Sequence, residues 1–283
     1  YPDIGKGTVI QAVLRIREYE GVLEGDIVSM EKSDDSSFKG QLETLKEKSI
    51  SIKHIDFLNK TAVLEKLRPS MEKAARMIIA AIYENRPIIL RHNADCDGYS
   101  AEISLERAIV PLILENNKDE FSQWRYYRRS PSKAPFYAYG DAVLDLVTAT
   151  NDMLKNGLSE PLVIIADNGS GEEDLLAIQR IKTYGCPVIV IDHHFIKNDV
   201  VSPVVDVNIS PYLAGGDSRL CSGMLGVELA RMINPQAEGI IFLAALSGFG
   251  DKVKPEDMKT YIEVAEKEGY AVDYLKKLAP CID

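Results

Sequence analysis

The feature of this sequence that most constrains the fold is a series of short apolar segments, each long enough for one buried strand. Helical patterns lie between most of these segments, near residues 99–117, 140–156 and 171–184. Strands that are buried on both faces have continuous apolar runs, and their alternation with helices is typical of a parallel sheet. The sequence therefore predicts an α/β fold with a mostly parallel sheet covered by helices on both faces. The predicted strands are 88–90, 162–166, 188–191 and a fourth that begins at 204–205.

The N-terminal region has a different pattern. Residues 5–31 alternate between apolar and polar side chains and contain two turn signals, which predicts a hairpin. This β segment, placed within residues 1–50, is either part of an OB-like or S1-like fold or a pair of strands that decorates the main domain. The polar, charged stretch 33–48 is predicted to be a linker.

The remaining residues, 51–283, are expected to form the catalytic domain. A helix is predicted from about 70 to 85, where apolar residues recur at helical spacing before Pro87. Another helix is predicted to begin directly after the second strand, because Ser170 and Glu173 match a capping box.

The composition narrows the class of protein. There is no apolar run of about 18 residues and no basic-then-apolar start, so neither a membrane span nor a signal peptide is visible. The chain begins with Tyr1 rather than Met, so we expect a fragment or a processed chain. The four cysteines contain no CxxC pair, which disfavours a zinc site and indicates reduced thiols in the cytoplasm. The net charge of −10 disfavours non-specific coating of nucleic acid, although metal ions bound to carboxylates would supply local positive charge.

Acidic and imidazole side chains follow three successive predicted strands. Because ligands of such sheets bind at the carboxyl ends of the strands, we expect these groups to meet at one edge, where like charges repel unless a cation lies among them. Carboxylate oxygens favour Mn²⁺ or Mg²⁺, and an imidazole favours Mn²⁺. The sequence therefore predicts two such ions, which would activate a water and stabilise the departing oxygen of a phosphate ester. The side chains are Asp95, Asp97, Asp167, Asp192, His193 and His194.

The run Asp192-His193-His194 directly after an apolar strand resembles the signature of the DHH phosphoesterases. Three further segments are similar to the other motifs of this family and occur in the family's order, so the resemblance covers about residues 86–255. They are His-Asn-Ala-Asp-Cys-Asp-Gly at 92–98, Asp-Asn-Gly at 167–169, and Asp251 at the end of 246–251.

The resemblance implies roles for individual residues. The implied metal ligands are Asp95, Asp97, Asp167, His193 and Asp251. Asp167, His193 and His194 would form the catalytic group, in which Asp167 bridges the two ions and His194 binds the scissile phosphate. Asp192 would orient an imidazole. His92 is either a supporting residue of the same kind or an ordinary buried histidine.

Two stretches, 128–137 and 215–218, resemble segments of archaeal RecJ-like proteins. They imply an exonuclease that acts on single-stranded DNA or RNA, with replication or repair proteins as further partners. The cluster at 125–129 mixes cations and aromatic rings, which can bind phosphates and stack on bases, but the same composition would suit a solvated strand and loop. We expect it to track the backbone of a single strand. The predicted substrate contacts are His194, Arg128, Arg129, Lys133, Tyr126 and Asn208.

The sequence departs from the bacterial RecJ pattern at Arg91 and Asn93, and His92 is shifted by one position. The Gly-rich His motif of the usual C-terminal substrate-binding domain is absent, so that domain is expected to be missing from this chain. Two alternative functions stay open. One is a phosphodiesterase for oligonucleotides or cyclic dinucleotides, which the net charge favours, and the other is a non-catalytic replication or repair scaffold related to RecJ.

Overall fold

The computed structural model describes residues 4–5, 8–19, 22–33, 38, 40–41, 44–45 and 50–282, and the chain divides into two compact units, 1–49 and 50–283. In the first unit, strand β1 (Ile10–Tyr19) pairs antiparallel with strand β2 (Val22–Lys32). This confirms the predicted hairpin. Most of the predicted linker at 33–48 lies outside the described residues, and membership of an OB-like or S1-like fold stays a prediction.

The second unit is built on a five-stranded sheet in which all neighbouring strands are parallel. Its strands are β3 (Ile88–Asn93), β4 (Tyr127–Ser132), β5 (Leu162–Ala166), β6 (Val188–Ile191) and β7 (Val207–Ile209). They lie side by side in the order β4-β3-β5-β6-β7. The predicted fold class is therefore confirmed.

Helices cover both faces of this sheet. They are α1 (Ala62–Tyr83), α2 (Cys96–Asn117), α3 (Ser122–Tyr126), α4 (Tyr139–Asn156), α5 (Leu175–Lys182), α6 (Ser222–Ile233), α7 (Ile241–Gly250), α8 (Lys259–Lys267) and α9 (Val272–Leu278). Successive strand residues point to opposite faces, so Ile164 enters a large core with α1, α2, α6 and α7, whereas Val163 and Ile165 enter a smaller core with α4 and α5. Among the described helices, none is long and apolar enough to cross a membrane.

The strand order changes direction between β3 and β5. After β3 the chain continues through α2 to β4 on one side, whereas after β5 it continues through α5 to β6 on the other side. The two connections diverge, and they leave a crevice at the carboxyl ends of β3 and β5. Ligands of open α/β sheets bind at such a point. The predicted acidic residues follow these same two strands.

Three element boundaries differ from the predictions. The last strand begins at residue 207, because residues 202–204 form a turn. The helix predicted directly after β5 begins only at Leu175, because the Ser170 hydroxyl contacts Oδ1 of Asn208 instead of forming a capping box. Helix α1 begins earlier than predicted, because the side chain of Thr61 accepts a hydrogen bond from the backbone of Leu64.

Candidate metal centre

The imidazole of His193 lies among three carboxylates at this edge of the sheet. Its Nε2 atom is 3.2 Å from Oδ2 of Asp251 and 3.4 Å from both Oδ2 of Asp97 and Oδ1 of Asp167. Burial lowers the pKa of His193, but the charges of Asp97 and Asp251 outweigh this effect and raise the pKa above its ordinary value. Two groups of possible ligands meet at His193: one with Asp97 and Asp251, the other with Asp167 and His194.

The second ring nitrogen of His193 fixes the orientation of the imidazole. Nδ1 is 2.9 Å from the carbonyl oxygen of Ser218. A carbonyl only accepts, so Nδ1 carries the hydrogen, and in the neutral ring Nε2 presents its lone pair to the cluster. Histidines that bind metals are commonly held in this way. The role of Ser218 could not be predicted, because a backbone carbonyl leaves no side-chain signal in the sequence.

Asp167 combines a strained backbone with a buried carboxylate that accepts no hydrogen bond from a described residue. It follows β5 directly, and its φ of 59° lies in the left-handed region, which residues other than glycine seldom adopt. Both carboxylate oxygens are buried, and neither accepts a hydrogen bond from a described residue. Burial, together with the charge of Asp97, raises the pKa of Asp167 well above its ordinary value. A bound cation would compensate this buried charge, so Asp167 is well suited to be a metal ligand.

Asp97 is held by the N-terminus of helix α6. Its Oδ2 accepts from the Ser222 amide at 2.8 Å, and its Oδ1 accepts from the Gly223 amide at 2.7 Å and the Ser247 hydroxyl at 2.6 Å. A helix N-terminus favours an anion at this position. The close approach requires Gly223, because a Cβ there would lie 2.5 Å from the side chain of Ser247. These donors lie 125 to 150 residues away in sequence, so they could not be predicted.

Asp251 completes the cluster from the end of helix α7. It caps the helix, and 25% of its side chain is exposed. Burial and the neighbouring Asp97 raise its pKa to about 7. Three carboxylates therefore share one imidazole, an arrangement that is repulsive unless protons or cations compensate it.

Asp192 orients the second histidine of the pair. Its Oδ1 is 2.7 Å from Nδ1 of His194, and its Oδ2 accepts from the Ser170 amide at 2.9 Å. The hydrogen bond with Asp192 raises the pKa of His194. Burial raises the pKa of Asp192, but the hydrogen bond and charge of His194 reverse this and leave it lowered. Since Nδ1 is engaged, Nε2 of the half-exposed His194 is the nitrogen that remains for a substrate.

Asp95 and His92 lie beside the ligand groups rather than within them. Oδ1 of Asp95 accepts from the Gly98 amide at 2.9 Å and caps helix α2, while Oδ2 contacts the amide of Asn93. His92 is fully buried, its Nδ1 is 2.6 Å from the Asn93 carbonyl oxygen, and its ring packs edge-on against Tyr99. Burial lowers the pKa of His92, which favours the neutral ring.

The structure does not bring the predicted arginine contacts to the cluster. Arg128 and Arg129 pair with Ile89 and Leu90 of β3, before the carboxyl end of the sheet. Both are engaged with carboxylates, Arg128 with Asp152 at 3.2 Å and Arg129 with the buried Glu102 at 3.4 Å. Tyr126 ends helix α3, immediately before β4. Arg128 and Arg129 therefore both contact carboxyl groups of the protein, while 38% and 55% of their side chains stay exposed.

Lys133 and Asn208 lie closer to the carboxyl edge. Lys133 is exposed and directly follows Ser132, the last residue of β4. Asn208 interacts through Oδ1 with the Ser170 hydroxyl, and its Nδ2 donates to the Ser202 hydroxyl at 3.0 Å. Its amide is therefore engaged in holding the loop after β5.

Buried polar atoms without a partner are concentrated at this edge. Nine buried side-chain nitrogen or oxygen atoms of the described residues make no hydrogen bond, and eight belong to residues at strand ends or at the start of α6. Buried polar groups are normally paired, so this concentration indicates a place for a ligand. Asn168 and Ser222 could not be predicted as part of the site, because an Asn or a Ser carries no signal of its own. The eight atoms belong to His92, Ser132, Asp167, Asn168, Ser210 and Ser222.

The donor set fits divalent metal ions. Carboxylate oxygens with one or two imidazoles suit Mn²⁺ or Mg²⁺, and the two oxygens of Asp167 would gain the partner they lack. Asp97, Asp167, His193 and Asp251 could hold such ions, with His194 at the exposed side.

A comparison with protein-family models matches residues 87–241, more than half of the chain, to the DHH family, N-terminal domain. An uncharacterized protein of Methanocaldococcus jannaschii is 39% identical over 305 aligned positions, which cover all of this chain and 40% of the relative. The chain thus spans less than half of that relative's length.

Two solved structures are similar to this chain. The DHH domain of a "member of s1p family of ribosomal proteins" has a TM-score of 0.84 and 41% identity, covering 88% of this chain and 58% of the other. RecJ of Thermus thermophilus, solved in complex with Mn²⁺, has a TM-score of 0.53 and 16% identity, covering 75% of this chain and 32% of that protein. The likeness to RecJ shows a shared fold.

Proposed function

Because this chain belongs to the DHH family, whose members are generally phosphoesterases, we propose that it is a metal-dependent exonuclease that hydrolyses phosphodiester bonds in single-stranded nucleic acid. The observation that carries the proposal is the position of His193 Nε2, within 3.2 to 3.4 Å of three carboxylates. One of these carboxylates, Asp167, is buried without a hydrogen-bond donor among the described residues. An imidazole among three buried or half-buried carboxylates is the arrangement expected of a site that binds metal ions.

The chain's own residues hold two ions in this proposal. Asp97, Asp251 and Nε2 of His193 would hold one ion, and Asp167, whose two oxygens accept no hydrogen bond, would be a ligand with His193 for the other. Divalent ions, when bound, lower the pKa of a water and stabilise charge on phosphate oxygens. The amides of α6 keep Asp97 in one orientation, so little rearrangement is needed on binding.

His194 binds the scissile phosphate. The hydrogen bond with Asp192 raises the pKa of His194 and so favours the protonated ring, whose Nε2 can donate a charge-assisted hydrogen bond to a phosphate oxygen. Exposure of 49% of the His194 side chain leaves this nitrogen accessible to substrate.

A second candidate, a phosphodiesterase for short oligonucleotides or cyclic dinucleotides, is favoured by the arginines of β4. The ion pairs of Arg128 with Asp152 and of Arg129 with Glu106 reduce the positive charge that these two side chains offer to a long polyanion. Lys133, which is exposed and directly follows β4, is the predicted cation at the carboxyl end of this strand.

The proposal is tested with DNA and RNA single strands of graded length, labelled at either end, in Mn²⁺ and in EDTA. We expect a ladder that grows from one end, in Mn²⁺ only. Asp167→Ala should be inactive, whereas Asp273→Ala, which removes an exposed carboxylate of α9, should match the wild type. Cleavage restricted to the shortest strands would favour the second candidate. Metal binding without hydrolysis of any strand would favour a scaffold and would reject the proposed activity.

A further inference from the structure

An open cleft of about 280 Å³ lies between the start of α1 and the loop before α6. Ligand pockets commonly measure roughly 300–1,000 Å³, so this cleft has the size for one small group, such as a nucleoside. One wall is apolar, and the rim is polar. The wall is formed by Val63, Leu220 and Met224, and the rim by Asn59, Asp217 and Arg219.

Two contacts connect this nucleoside-sized cleft to the metal centre. Ser218 lies next to the rim, and its carbonyl oxygen accepts a hydrogen bond from Nδ1 of His193. Met224 of the wall lies against Gly248, because a Cβ built on this glycine would be 2.7 Å from the methionine Cε. Ser247, the residue before Gly248, donates a hydrogen bond to Asp97. A group in the cleft therefore lies next to segments that hold two of the proposed ligands. That position suits a substituent of a phosphate bound at the metals.

The charge of the rim disfavours an anion. Nε of Arg219 is 2.9 and 3.0 Å from the two carboxylate oxygens of Asp217, and Nη1 is 3.2 Å from Oδ1 of Asp257. Two carboxylates share one guanidinium, so the rim carries net negative charge and would repel a phosphate. A neutral ring meets no such repulsion.

The rim and wall offer contacts for a nucleobase. The guanidinium of Arg219 belongs to a side chain that is 62% exposed, and a planar guanidinium stacks on aromatic rings. Nδ2 of Asn59 donates to the Asp257 carbonyl at 3.3 Å, and its Oδ1 accepts no hydrogen bond from a described residue. That oxygen can accept from a ring N–H or an exocyclic amine.

We propose that this cleft binds the nucleobase next to the scissile phosphate while the phosphate itself lies at the metal centre. The inference rests on the proposed phosphodiesterase function and adds a base-binding subsite to it. Recognition comes from an apolar wall, a stacked guanidinium and one amide oxygen.

Two substitutions that fill the cleft from different segments test the subsite. Val63→Phe on α1 and Leu220→Phe before α6 should each raise the KM of a dinucleotide by roughly ten- to a hundredfold, the loss expected when one base no longer packs. The kcat should change little. A dinucleotide with an abasic sugar at the same position should show no such increase. Leu154→Phe, at a side chain that is 80% exposed, is the matched control, and thermal melting checks that each variant folds.

Adenosine binding, measured by saturation-transfer NMR in EDTA, gives a readout that does not depend on hydrolysis. We expect binding by the wild type and loss of binding in both filled variants. Unchanged dinucleotide KM in both folded variants, an equal increase for the abasic substrate, or no adenosine binding by the wild type would each overturn the subsite. If the wild type binds adenosine but hydrolyses nothing, the phosphodiesterase proposal fails and the base-binding cleft stands.

Discussion

Nδ1 of His193 lies 2.9 Å from the carbonyl oxygen of Ser218, which leaves Nε2 as the ring nitrogen that faces the carboxylates of Asp97, Asp167 and Asp251. Burial lowers the pKa of His193, but the charges of Asp97 and Asp251 raise it overall, which favours a protonated imidazole that compensates these charges in the metal-free protein. A metal ion would take over that role at the same nitrogen. We therefore expect substitutions of an acidic residue and of His193 to have opposite effects on the stability of the metal-free protein.

Asp167→Asn should maintain or raise the stability of the metal-free protein. The substitution removes a buried carboxylate that accepts no hydrogen bond from a described residue and that Asp97 repels, so the melting temperature in EDTA should hold or increase. Hydrolysis in Mn²⁺ should fall by several orders of magnitude, and the stabilisation by Mn²⁺ should shrink, because a proposed ligand is lost. Thermal melts with and without Mn²⁺ check both effects. A variant that melts well below the wild type in EDTA would contradict the assignment.

His193→Gln should have the opposite effect on the metal-free protein. It removes the imidazole that compensates three carboxylates, so the free energy of unfolding in EDTA should fall by about 1–3 kcal/mol. The gain in melting temperature on adding Mn²⁺ should also shrink, since one ligand is lost. If His193→Gln were as stable as the wild type in EDTA, the imidazole would have no compensating role.

Gly223→Ala should weaken the hydrogen bonds by which the N-terminus of α6 positions Asp97. A Cβ at this position would lie 2.5 Å from the Ser247 side chain, so helix α6 would have to shift from the carboxylate. We expect a loss of about 1–3 kcal/mol in unfolding free energy, the usual range for overpacking, and weaker Mn²⁺ binding. Gly140→Ala is the control, because a Cβ at that position would have no described atom within 4 Å. Equal Mn²⁺ affinity in the two folded variants would show that α6 does not position Asp97.

The sequence predicted the parallel sheet and the place of the cluster for a physical reason. Buried strands have continuous apolar runs, and Asp97, Asp167 and His193 each follow such a run closely in the chain. Strand β4 was not predicted as part of the sheet, because Tyr127–Ser132 is an edge strand with polar residues on it. Its pairing with β3 depends on contacts across the fold that local patterns do not contain.

The groups that position the proposed metal ligands could not be predicted from the sequence. Ser218 acts through a backbone carbonyl, and Ser247 meets Asp97 across 150 residues of chain. For the arginines of β4, the sequence shows the side chains but not their partners. Arg128 and Arg129 have the composition of a phosphate-binding segment, but the fold pairs them with Asp152 and Glu102. Charge composition indicates which side chains could bind an anion, whereas the fold determines which cations remain available.

Glu102 should make the stability of the protein depend on pH. Burial raises its pKa to about 8, assisted by Glu106 and opposed by Arg129 and Tyr127. Its pKa in the unfolded chain is about 4.3, so between these values the folded state holds the extra proton and stability falls as pH rises.

Glu102→Gln should remove this part of the pH dependence. Urea unfolding at pH 5 and pH 8 should show a smaller loss in the variant, by up to about 1 kcal/mol per pH unit within the window. Asp174 and Asp251 also titrate there, but both are present in the two proteins and cancel in the difference. An identical pH dependence in wild type and variant would mean that Glu102 ionises normally.

The most direct test of the metal centre is the number of Mn²⁺ ions bound per chain, measured by isothermal titration of the metal-free protein. We predict two ions in the wild type and in Gly140→Ala, and at most one tightly bound ion in Asp167→Asn, since the two oxygens of Asp167 accept no hydrogen bond from a described residue. A wild-type chain that binds no Mn²⁺, or an Asp167→Asn chain that binds two ions as tightly as the wild type, would contradict the account.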